Sequence, residues 1–239
     1  MPIDKLPTPE RVLVIAAHPD DIEFGAAGTI ARWIGEGAEV HYVVVTRGDK
    51  GSDDPNADPE EIARLREREQ RAAAGEIGVA SVEVLDEPDG QVEATLRLRE
   101  QFTRAIRRHR PEVVMTHDPS VLFVNNEWVN HPDHRAVGQS AVDAVFPTAR
   151  DPLNFHEHLD AGLAAWKVGQ LYLWSTNEAN QLVDIAGTLD AKIAALRHHA
   201  SQFRDFDGIE RWVRRRAEEL GERAGYQAAE GFRRVTLAR

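Results

Sequence analysis

The sequence predicts an α/β fold in which a Rossmann-like, mostly parallel sheet carries helices on both faces and is followed by a C-terminal extension. Short β-branched runs without polar interruption, such as residues 11–17, are typical of strands buried on both faces of a parallel sheet. Segments with apolar residues at helical spacing separate these runs. This alternation implies right-handed crossovers, and ligands of such sheets bind beyond the carboxyl ends of the strands.

The first half of the chain repeats the order strand, loop and helix. After the first strand and a polar loop, residues 24–37 carry apolar side chains at helical spacing and end at Gly37. A turn-rich loop at 48–59 separates the second strand from a charged amphipathic helix. We predict strands at 11–17, 39–46, 82–85 and 112–116, and helices at 24–37, 59–78 and 95–108, the last with Leu96, Phe102 and Ile106 on its inner face.

The last third of the chain is less regular. We predict helices at 134–146, 188–199 and 209–225, the last of them terminal, and strands at 170–174 and 182–184. No internal repeat, low-complexity tract or linker divides the sequence. We therefore expect one domain over residues 1–239, with its core at about 11–146 and the C-terminal extension at about 147–239.

Composition and charge exclude several classes of protein. The 239 residues include no cysteine, which excludes disulfides, iron–sulfur clusters, thiolate-bound zinc and a cysteine nucleophile. A bound metal must therefore take its ligands from His, Asp or Glu. The 40 acidic and 29 basic residues give a net charge of −11, so nucleic acid and anionic membranes are not expected partners.

The hydropathy pattern does not indicate membrane insertion. The longest uninterrupted apolar run, residues 12–17, is far shorter than the roughly 20 residues that a membrane helix needs. Residues 1–10 lack the hydrophobic core of a signal peptide. We therefore expect a cytoplasmic protein with no membrane partner.

Two short motifs combine imidazole with carboxylate at the ends of apparent strands. The tetrapeptides at 18–21 and 131–134 both begin His-Pro-Asp and place two potential metal ligands three residues apart. Proline constrains each turn, and the predicted topology brings both turns to one edge of the sheet. The side chains that these turns supply for metal binding or acid–base chemistry are His18, Asp20, Asp21, His131, Asp133 and His134.

These residue types fit a catalytic zinc site, which takes three protein ligands and keeps a fourth position for water. Two histidines and a carboxylate satisfy that need, a second carboxylate can take a proton from the water, and a further histidine can stabilise the oxyanion or protonate a leaving amine. Asp20 and Asp21 are adjacent and cannot both point at one ion, so one is a ligand and the other a base. The alternative is a pair of solvated loops, because His-Pro and Asp-Pro are ordinary turn formers.

Both turns belong to longer sets of residues that together resemble one known protein family. The first string runs over residues 17–21 and continues with Glu23, Gly25, Gly28 and Thr29, and the second covers residues 131–134. Together they resemble the LmbE-like or PIG-L family of zinc-dependent N-deacetylases. Supporting matches at 46–48, 65–69, 116–119, 201–203 and 230–232 extend the resemblance over most of the chain.

The resemblance implies an enzyme that uses one divalent metal, Zn²⁺ above all, to remove the acetyl group from an N-acetylglucosamine-type amino sugar or its conjugate. The residues that match the family's functional positions are His18, Asp21 and His134 as metal ligands, Asp20 as general base, His131 as electrostatic catalyst and acid oriented by Asp133, and Arg66 and Asp118 as groups that bind sugar hydroxyls.

The sequence leaves alternatives open for the substrate, the metal ion and the oligomeric state. Phe123 and Trp128 in the segment 120–130 suit either a loop that lines the pocket or a contact in a homo-oligomer. Val129 stands where family members acting on the mycothiol precursor have a tyrosine, which favours a different substrate. Histidine and carboxylate ligands accept iron(II), cobalt and nickel as well as zinc. The alternative functions are an amidase for a larger sugar conjugate, a metal-binding protein without turnover, and a domain that binds a small ligand without metal.

The other histidines are expected to lie outside the metal site. His198 and His199 are adjacent in a predicted helix and point about 100° apart, so we expect surface or cap positions for them. His156 and His158 lie in a polar segment and are expected to be solvated. His117 directly follows a strand and is expected to border the pocket.

Overall fold

A seven-stranded sheet forms the centre of the computed structural model, which describes residues 7–238. Residues 1–6, part of the region expected to lack a signal peptide, and residue 239 lie outside the described residues. The strands in chain order are β1 (Arg11–Ala16), β2 (Glu39–Thr46), β3 (Ser81–Glu87), β4 (Val113–His117), β5 (Phe123–Val124), β6 (Trp128–Val129), β7 (Gln170–Trp174), β8 (Gln181–Asp184) and β9 (Ala229–Thr236).

The strand order confirms the predicted Rossmann-like α/β fold. The sheet runs β3, β2, β1, β4, β7, β9 and β8, and the first five of these strands are parallel. Strand β9 is antiparallel to both of its neighbours, while β5 and β6 form a separate hairpin. The carboxyl ends of β1 and β4 therefore lie side by side at one edge of the sheet.

Helices cover both faces of the sheet. They are α1 (Asp21–Gly25), α2 (Ala27–Gly35), α3 (Pro59–Ile77), α4 (Leu96–His109), α5 (Pro132–Asp143), α6 (Leu189–Arg197) and α7 (Phe206–Glu222). Strand β1 alternates its side chains between two cores: Val12 and Val14 pack toward α2 and α3, while Leu13 and Ile15 pack toward α4 and α5. This double burial explains its uninterrupted apolar sequence. Among the described residues, no helix is both long and apolar enough to cross a membrane.

Local signals explain where the long helices begin and end. The Asp58 carboxylate accepts a hydrogen bond from the Glu60 amide at the start of α3, and Gly78 ends this helix in a left-handed conformation. Thr95 caps the start of α4 in the same way. The inner face predicted for α4 is correct for Phe102 and Ile106, which are fully buried. It is wrong for Leu96, the first residue of the helix, which is 65% exposed.

Two predicted helices differ from the structure in their bounds. The helix expected at 24–37 is divided at Ala26 into α1 and α2. In addition, α1 begins earlier than predicted, at Asp21 within the first motif. The helix expected at 134–146 begins two residues earlier and ends at Asp143. A π-helical turn follows, in which Phe146 has an extended backbone and Pro147 lacks the amide hydrogen that a continuing helix needs.

The helix predicted at 209–225 is present as α7, but it is not the last element, because β9 follows α7 and inserts between β7 and β8. This strand contains Gly231 and the charged side chain of Glu230, which breaks the apolar alternation expected of a strand. Glu230 is nevertheless buried. Its carboxylate accepts hydrogen bonds from the Gly28 and Thr29 amides in the first turn of α2 and pairs with Lys192 Nζ at 2.6 Å.

A buried arginine organises the connection after α5. Arg107 on α4 is 1% exposed, and its guanidinium donates hydrogen bonds to backbone carbonyl groups. These acceptors are the carbonyl groups of Thr148, Ala149, Asp151, Asn154 and Phe155. Arginine supplies five donors on a planar group, so it can satisfy several carbonyls of an irregular segment at once. The helical pattern of α4 gave no sign of this role.

Two histidines that were not expected in the interior are buried: His158 was expected to be solvated, and His199 to lie at the surface or at a helix cap. His158 Nε2 lies 2.6 Å from a Glu100 carboxylate oxygen, and His199 Nε2 lies 3.2 Å from Glu23 Oε2. Both imidazoles have no exposed side-chain surface. In each ring Nε2 therefore has a partner from a distant part of the chain, while Nδ1 is buried without a hydrogen-bond partner among the described residues. His198, by contrast, is partly exposed and caps the C-terminal end of α6, as expected.

We expect Lys192→Met to destabilise the fold strongly. Lys192 Nζ pairs with Glu230 and also donates to the Phe24 carbonyl, and both charged side chains are 5% exposed. Removing one partner leaves a buried, uncompensated carboxylate, which lowers the free energy of unfolding by about 3 to 5 kcal/mol. Urea denaturation followed by circular dichroism measures the change. Arg204→Met is the control, because its pair with Asp53 is exposed on both sides; equal midpoints for the two variants would contradict this account of Lys192.

Candidate active site

The two His-Pro-Asp motifs meet at the carboxyl edge of the sheet. The first directly follows β1, and the second forms the start of α5, which follows β4 and the β5–β6 hairpin. His18 Nδ1 and His134 Nε2 lie 3.3 Å apart although 116 residues separate them in the chain. The topology thus brings together the two groups of side chains that the sequence analysis singled out.

A left-handed backbone at Asp20 separates the two adjacent carboxylates. Asp20 has φ 90° and ψ −22°, a conformation that costs a non-glycine residue on the order of 1 to 3 kcal/mol. The Asp21 carboxylate turns toward the histidines, with Oδ1 3.0 Å from His134 Nε2. The Asp20 carboxylate faces another way, with Oδ2 3.3 Å from the Arg66 guanidinium. The turn therefore gives neighbouring residues separate partners.

Nitrogen and oxygen atoms of His18, Asp21 and His134 lie at separations typical of atoms that share a metal ion. His18 Nδ1 lies 3.4 Å from Asp21 Oδ2 and 3.3 Å from His134 Nε2, and His134 Nε2 lies 3.0 Å from the other carboxylate oxygen, Asp21 Oδ1. Ligands about 2.0 to 2.1 Å from a zinc ion lie about 3.4 Å from one another in tetrahedral geometry. The two imidazoles and the carboxylate therefore fit a divalent ion with room for a further ligand.

Carboxylates behind His18 fix the orientation of its ring. His18 Nε2 lies 3.1 Å from both Asp133 Oδ2 and Asp89 Oδ1. Asp133 is fully buried and also accepts hydrogen bonds from the amides of Gly90 and Val92. This is the arrangement in which a metal-ligating histidine donates its second ring N–H to a carboxylate.

The structure corrects the expected partner of Asp133 and adds a residue to the site. We expected Asp133 to orient His131, but its carboxylate is 4.0 Å from His131 Nδ1 and closer to His18. Asp89 was missed by the sequence analysis, because the Pro-Asp-Gly sequence around it is an ordinary turn signal. Only the pairing of β2 with β3 brings this turn beside the first motif.

His131 is the most exposed imidazole of the cluster, with 42% of its side chain accessible. It caps α5, and its Nδ1 accepts a hydrogen bond from the Asp133 amide. In a neutral ring this leaves the hydrogen on Nε2, which is then a free donor. Burial and the positive charge of nearby His18 lower the pKa of His131. The ring centre lies 4.7 Å from that of His18.

Arg66 lies behind Asp20, where it contacts the turn itself. Its guanidinium donates to the Pro19 carbonyl at 2.7 Å and to the Gly48 carbonyl at 3.2 Å, and it is buried. A Cβ atom at Gly48, which has φ 66°, would lie 2.4 Å from this guanidinium, so glycine is needed there. The structure thus gives Arg66 partners within the protein, and its role toward sugar hydroxyls stays a prediction. Burial raises the pKa of Asp20 to about 6, although the charge of Arg66 opposes the rise.

His117 ends β4 beneath the site, and Asp118 follows it. His117 is buried, with Nε2 3.3 Å from Asp21 Oδ2 and its ring stacked 4.1 Å from that of His134. Burial and the charge of His134 lower the pKa of His117 to about 4, which favours a neutral ring. Asp118 is also buried, and its Oδ1 accepts from the amide and hydroxyl of Ser120. Its other oxygen lies 3.9 Å from Arg233 of β9.

The β5–β6 hairpin leads directly into the second motif. Its side chains at Phe123, Trp128 and Val129 are exposed, Trp128 to 61%. Asn177 holds the hairpin through hydrogen bonds with the Asn125 amide and the Phe123 carbonyl. An exposed apolar hairpin beside a polar site suits a pocket wall and a contact between chains equally, so both predictions for this segment stand.

The chain is similar to several known deacetylases. The family model for GlcNAc-PI de-N-acetylase, PIG-L, matches residues 13–145. The diacetylchitobiose deacetylase of Thermococcus kodakarensis is 32% identical over 229 residues, which cover 95% of this chain and 83% of that protein. The 1D-myo-inositol 2-acetamido-2-deoxy-alpha-D-glucopyranoside deacetylase of Kineococcus radiotolerans is 26% identical over an alignment that covers 84% of this chain and 71% of that protein.

Solved structures share the architecture. N,N'-diacetylchitobiose deacetylase from Pyrococcus horikoshii, complexed with its inhibitor MPG, has a TM-score of 0.88 and 32% identity, over 95% of this chain and 84% of that one. GalB, the 4-carboxy-2-hydroxymuconate hydratase from Pseudomonas putida, has a TM-score of 0.79 and 22% identity, over 96% of this chain and 98% of that one. The second likeness shows the fold alone.

Zinc is expected to stabilise the metal-free protein. Binding to the folded state at about 100 times the dissociation constant adds about 2.7 kcal/mol, which raises the melting temperature of a chain of this size by about 5 to 10 °C. His134→Ala removes a partly exposed imidazole that was predicted to be a ligand, and it should abolish most of this rise. His198→Ala, which removes a partly exposed histidine paired with Glu76, should leave it intact. Differential scanning fluorimetry with and without zinc measures both, and an undiminished rise in His134→Ala would contradict the ligand assignment.

Proposed function

The chain belongs to the PIG-L, or LmbE-like, family of de-N-acetylases, and on that premise we propose that it removes the acetyl group from an N-acetylglucosamine-type amino sugar or its conjugate. The observation that carries the proposal is the meeting of His18, Asp21 and His134 beside a separate carboxylate, Asp20. This arrangement offers a cation site and a base for an attacking water side by side. Acetamido sugars also appear in the names of its relatives.

We assign His18 Nδ1, the Asp21 carboxylate and His134 Nε2 as the metal ligands and zinc as the ion. When bound, the ion supplies Lewis-acid chemistry toward the amide carbonyl and the attacking water. Asp133 and Asp89 hold His18 through Nε2, so that its Nδ1 faces the other two ligands. The absence of cysteine supports a reducing compartment, and we propose the cytoplasm.

Asp20 is the general base of this proposal. Its carboxylate lies apart from the three ligands and takes a proton from the water that attacks the carbonyl carbon. Arg66 keeps the carboxylate oriented and favours its ionised form, which is the form that accepts a proton. We therefore assign Arg66 a role that acts through Asp20.

His131 is the proposed partner of the developing negative charge. Because its Nδ1 accepts from the Asp133 amide, the ring donates from Nε2. That N–H can stabilise the carbonyl oxygen as the tetrahedral intermediate forms. The leaving amine takes the proton that Asp20 removed from the attacking water, because a neutral ring that gave up its Nε2 proton would be left as an anion. Amide cleavage then yields acetate and the free amino sugar.

Asp20→Ala should lower kcat by about 10² to 10⁴-fold, because it removes the group that accepts the proton of water. Its metal content should stay near that of the wild type, since Asp20 is not an assigned ligand. His134→Ala is the matched variant and should lose metal and turnover together. Acetate release and elemental analysis measure the two quantities. Full turnover in Asp20→Ala would show that the base has been assigned wrongly.

A panel of N-acetyl sugars separates the possible substrates. Acetate release is compared for free N-acetylglucosamine, N,N'-diacetylchitobiose and larger glycosides of N-acetylglucosamine. We expect release from at least one of the small sugars. Turnover confined to the larger glycosides would favour the amidase alternative. Metal-loaded protein that releases no acetate from any of them would indicate a metal-binding protein without turnover.

A further inference from the structure

The strained backbone of Asp20 is held by a side chain outside the two motifs. The Asp20 amide donates a hydrogen bond to Gln70 Oε1 at 3.0 Å. Gln70 lies on α3 and is fully buried. No feature of the α3 sequence distinguished this glutamine from the many polar residues around it.

Gln70 is itself held by a buried acidic residue. Its Nε2 donates to Glu23 Oε1 at 3.0 Å, and Glu23 on α1 has no exposed surface. A carboxylate only accepts hydrogen bonds, so it fixes which end of the Gln70 amide faces Asp20. The Gln70 oxygen is thereby presented to the Asp20 amide, and the nitrogen cannot take its place.

His199 completes the chain of contacts. Its Nε2 lies 3.2 Å from Glu23 Oε2, on the side of the carboxylate away from Gln70. Burial opposes a positive charge on this ring, but the hydrogen bond with Glu23 and the charge of Glu23 raise the pKa of His199. The ring therefore donates to Glu23 and balances its buried charge. The chain runs from His199 through Glu23 and Gln70 to the backbone of Asp20.

Resting on the role proposed above for Asp20, we propose that Gln70, supported by Glu23 and His199, is a positioning residue that holds Asp20 in its left-handed conformation. A return of Asp20 to an ordinary backbone conformation would turn its carboxylate away from Arg66. The hydrogen bond to Gln70 fixes the peptide plane that leads into Asp20, so the buried network holds one end of the bond whose rotation places the carboxylate. Because Gln70 acts through the backbone of Asp20, its effect falls on the geometry of the base.

Gln70→Met tests this role, because methionine keeps the approximate volume and removes the acceptor. We expect kcat to fall about 100-fold, the loss typical of a catalytic group displaced by about 1 Å. KM and metal content should stay within about twofold of the wild type. Amide hydrogen exchange of the peptide that contains residues 19–22 should become faster, which reports the loss of the Asp20 hydrogen bond directly.

A swap of the two polar residues provides a rescue. Gln70→Glu alone keeps an acceptor for Asp20 but sets two carboxylates against each other. Glu23→Gln combined with Gln70→Glu restores a donor and an acceptor between the two positions and keeps the total charge. We expect the double variant to recover at least about tenfold of the kcat lost in Gln70→Glu, as partners in one network do.

Glu69→Gln is the control for a general loss of packing. Glu69 neighbours Gln70 on α3 and bonds the amide and hydroxyl of Ser201, without a contact to Asp20 in its hydrogen bonds. The Glu69→Gln variant should change the melting temperature and leave kcat unchanged. The inference is overturned if Gln70→Met keeps wild-type kcat, or if the double variant is no better than Gln70→Glu. Asp20→Ala is assayed in parallel: if it is inactive while Gln70→Met is fully active, only the positioning role fails.

Discussion

Two neighbouring carboxylates at the end of β1 must serve different partners, and the left-handed backbone at Asp20 is the constraint on which the site depends. With Asp20 in this conformation, the two carboxylates diverge to a cluster of imidazoles on one side and an arginine on the other. The turn takes backbone strain at one residue. Asp21 faces His134, and Asp20 faces Arg66. The different roles that we propose for the two carboxylates therefore rest on the geometry of this turn.

The C-terminal third of the chain supports this turn from behind. Lys192 and Glu230 join α6 and β9 to the first turn of α2, and His199 bonds the buried Glu23 of α1. Each of these charged groups is buried and paired, as the low dielectric of the interior requires. The residues at 189–232 are thus part of the structure that shapes the first motif, and three of the seven strands of the sheet come from beyond residue 146. This explains why residues that match the family are spread along the chain.

Sequence patterns predicted the strands and helices in which buried apolar residues recur at a regular spacing within one segment. Strand β1 is apolar throughout because both of its faces are covered. The two His-Pro-Asp motifs were visible because the same combination of imidazole, proline and carboxylate occurs twice in the sequence. The pattern failed for β9, since the partners of buried Glu230 lie on other elements: Lys192 on α6 and the first amides of α2. It failed in the same way for Asp89, Gln70 and His199, because an ordinary turn or helix sequence does not show which polar side chain will face a distant carboxylate or ring.

The charges around His18 explain why this point in the fold favours a cation. Burial disfavours a positive charge on the ring, yet hydrogen bonds with Asp133, Asp21 and Asp89 outweigh burial and raise the pKa of His18 to about 12. The three carboxylates thus demand positive charge at the centre of the cluster. A divalent ion meets the same demand, and its binding would release the proton from Nδ1 because a ligand nitrogen must be unprotonated. A proton and a metal ion therefore compete for His18 Nδ1, and the fold holds in place the carboxylates that attract both.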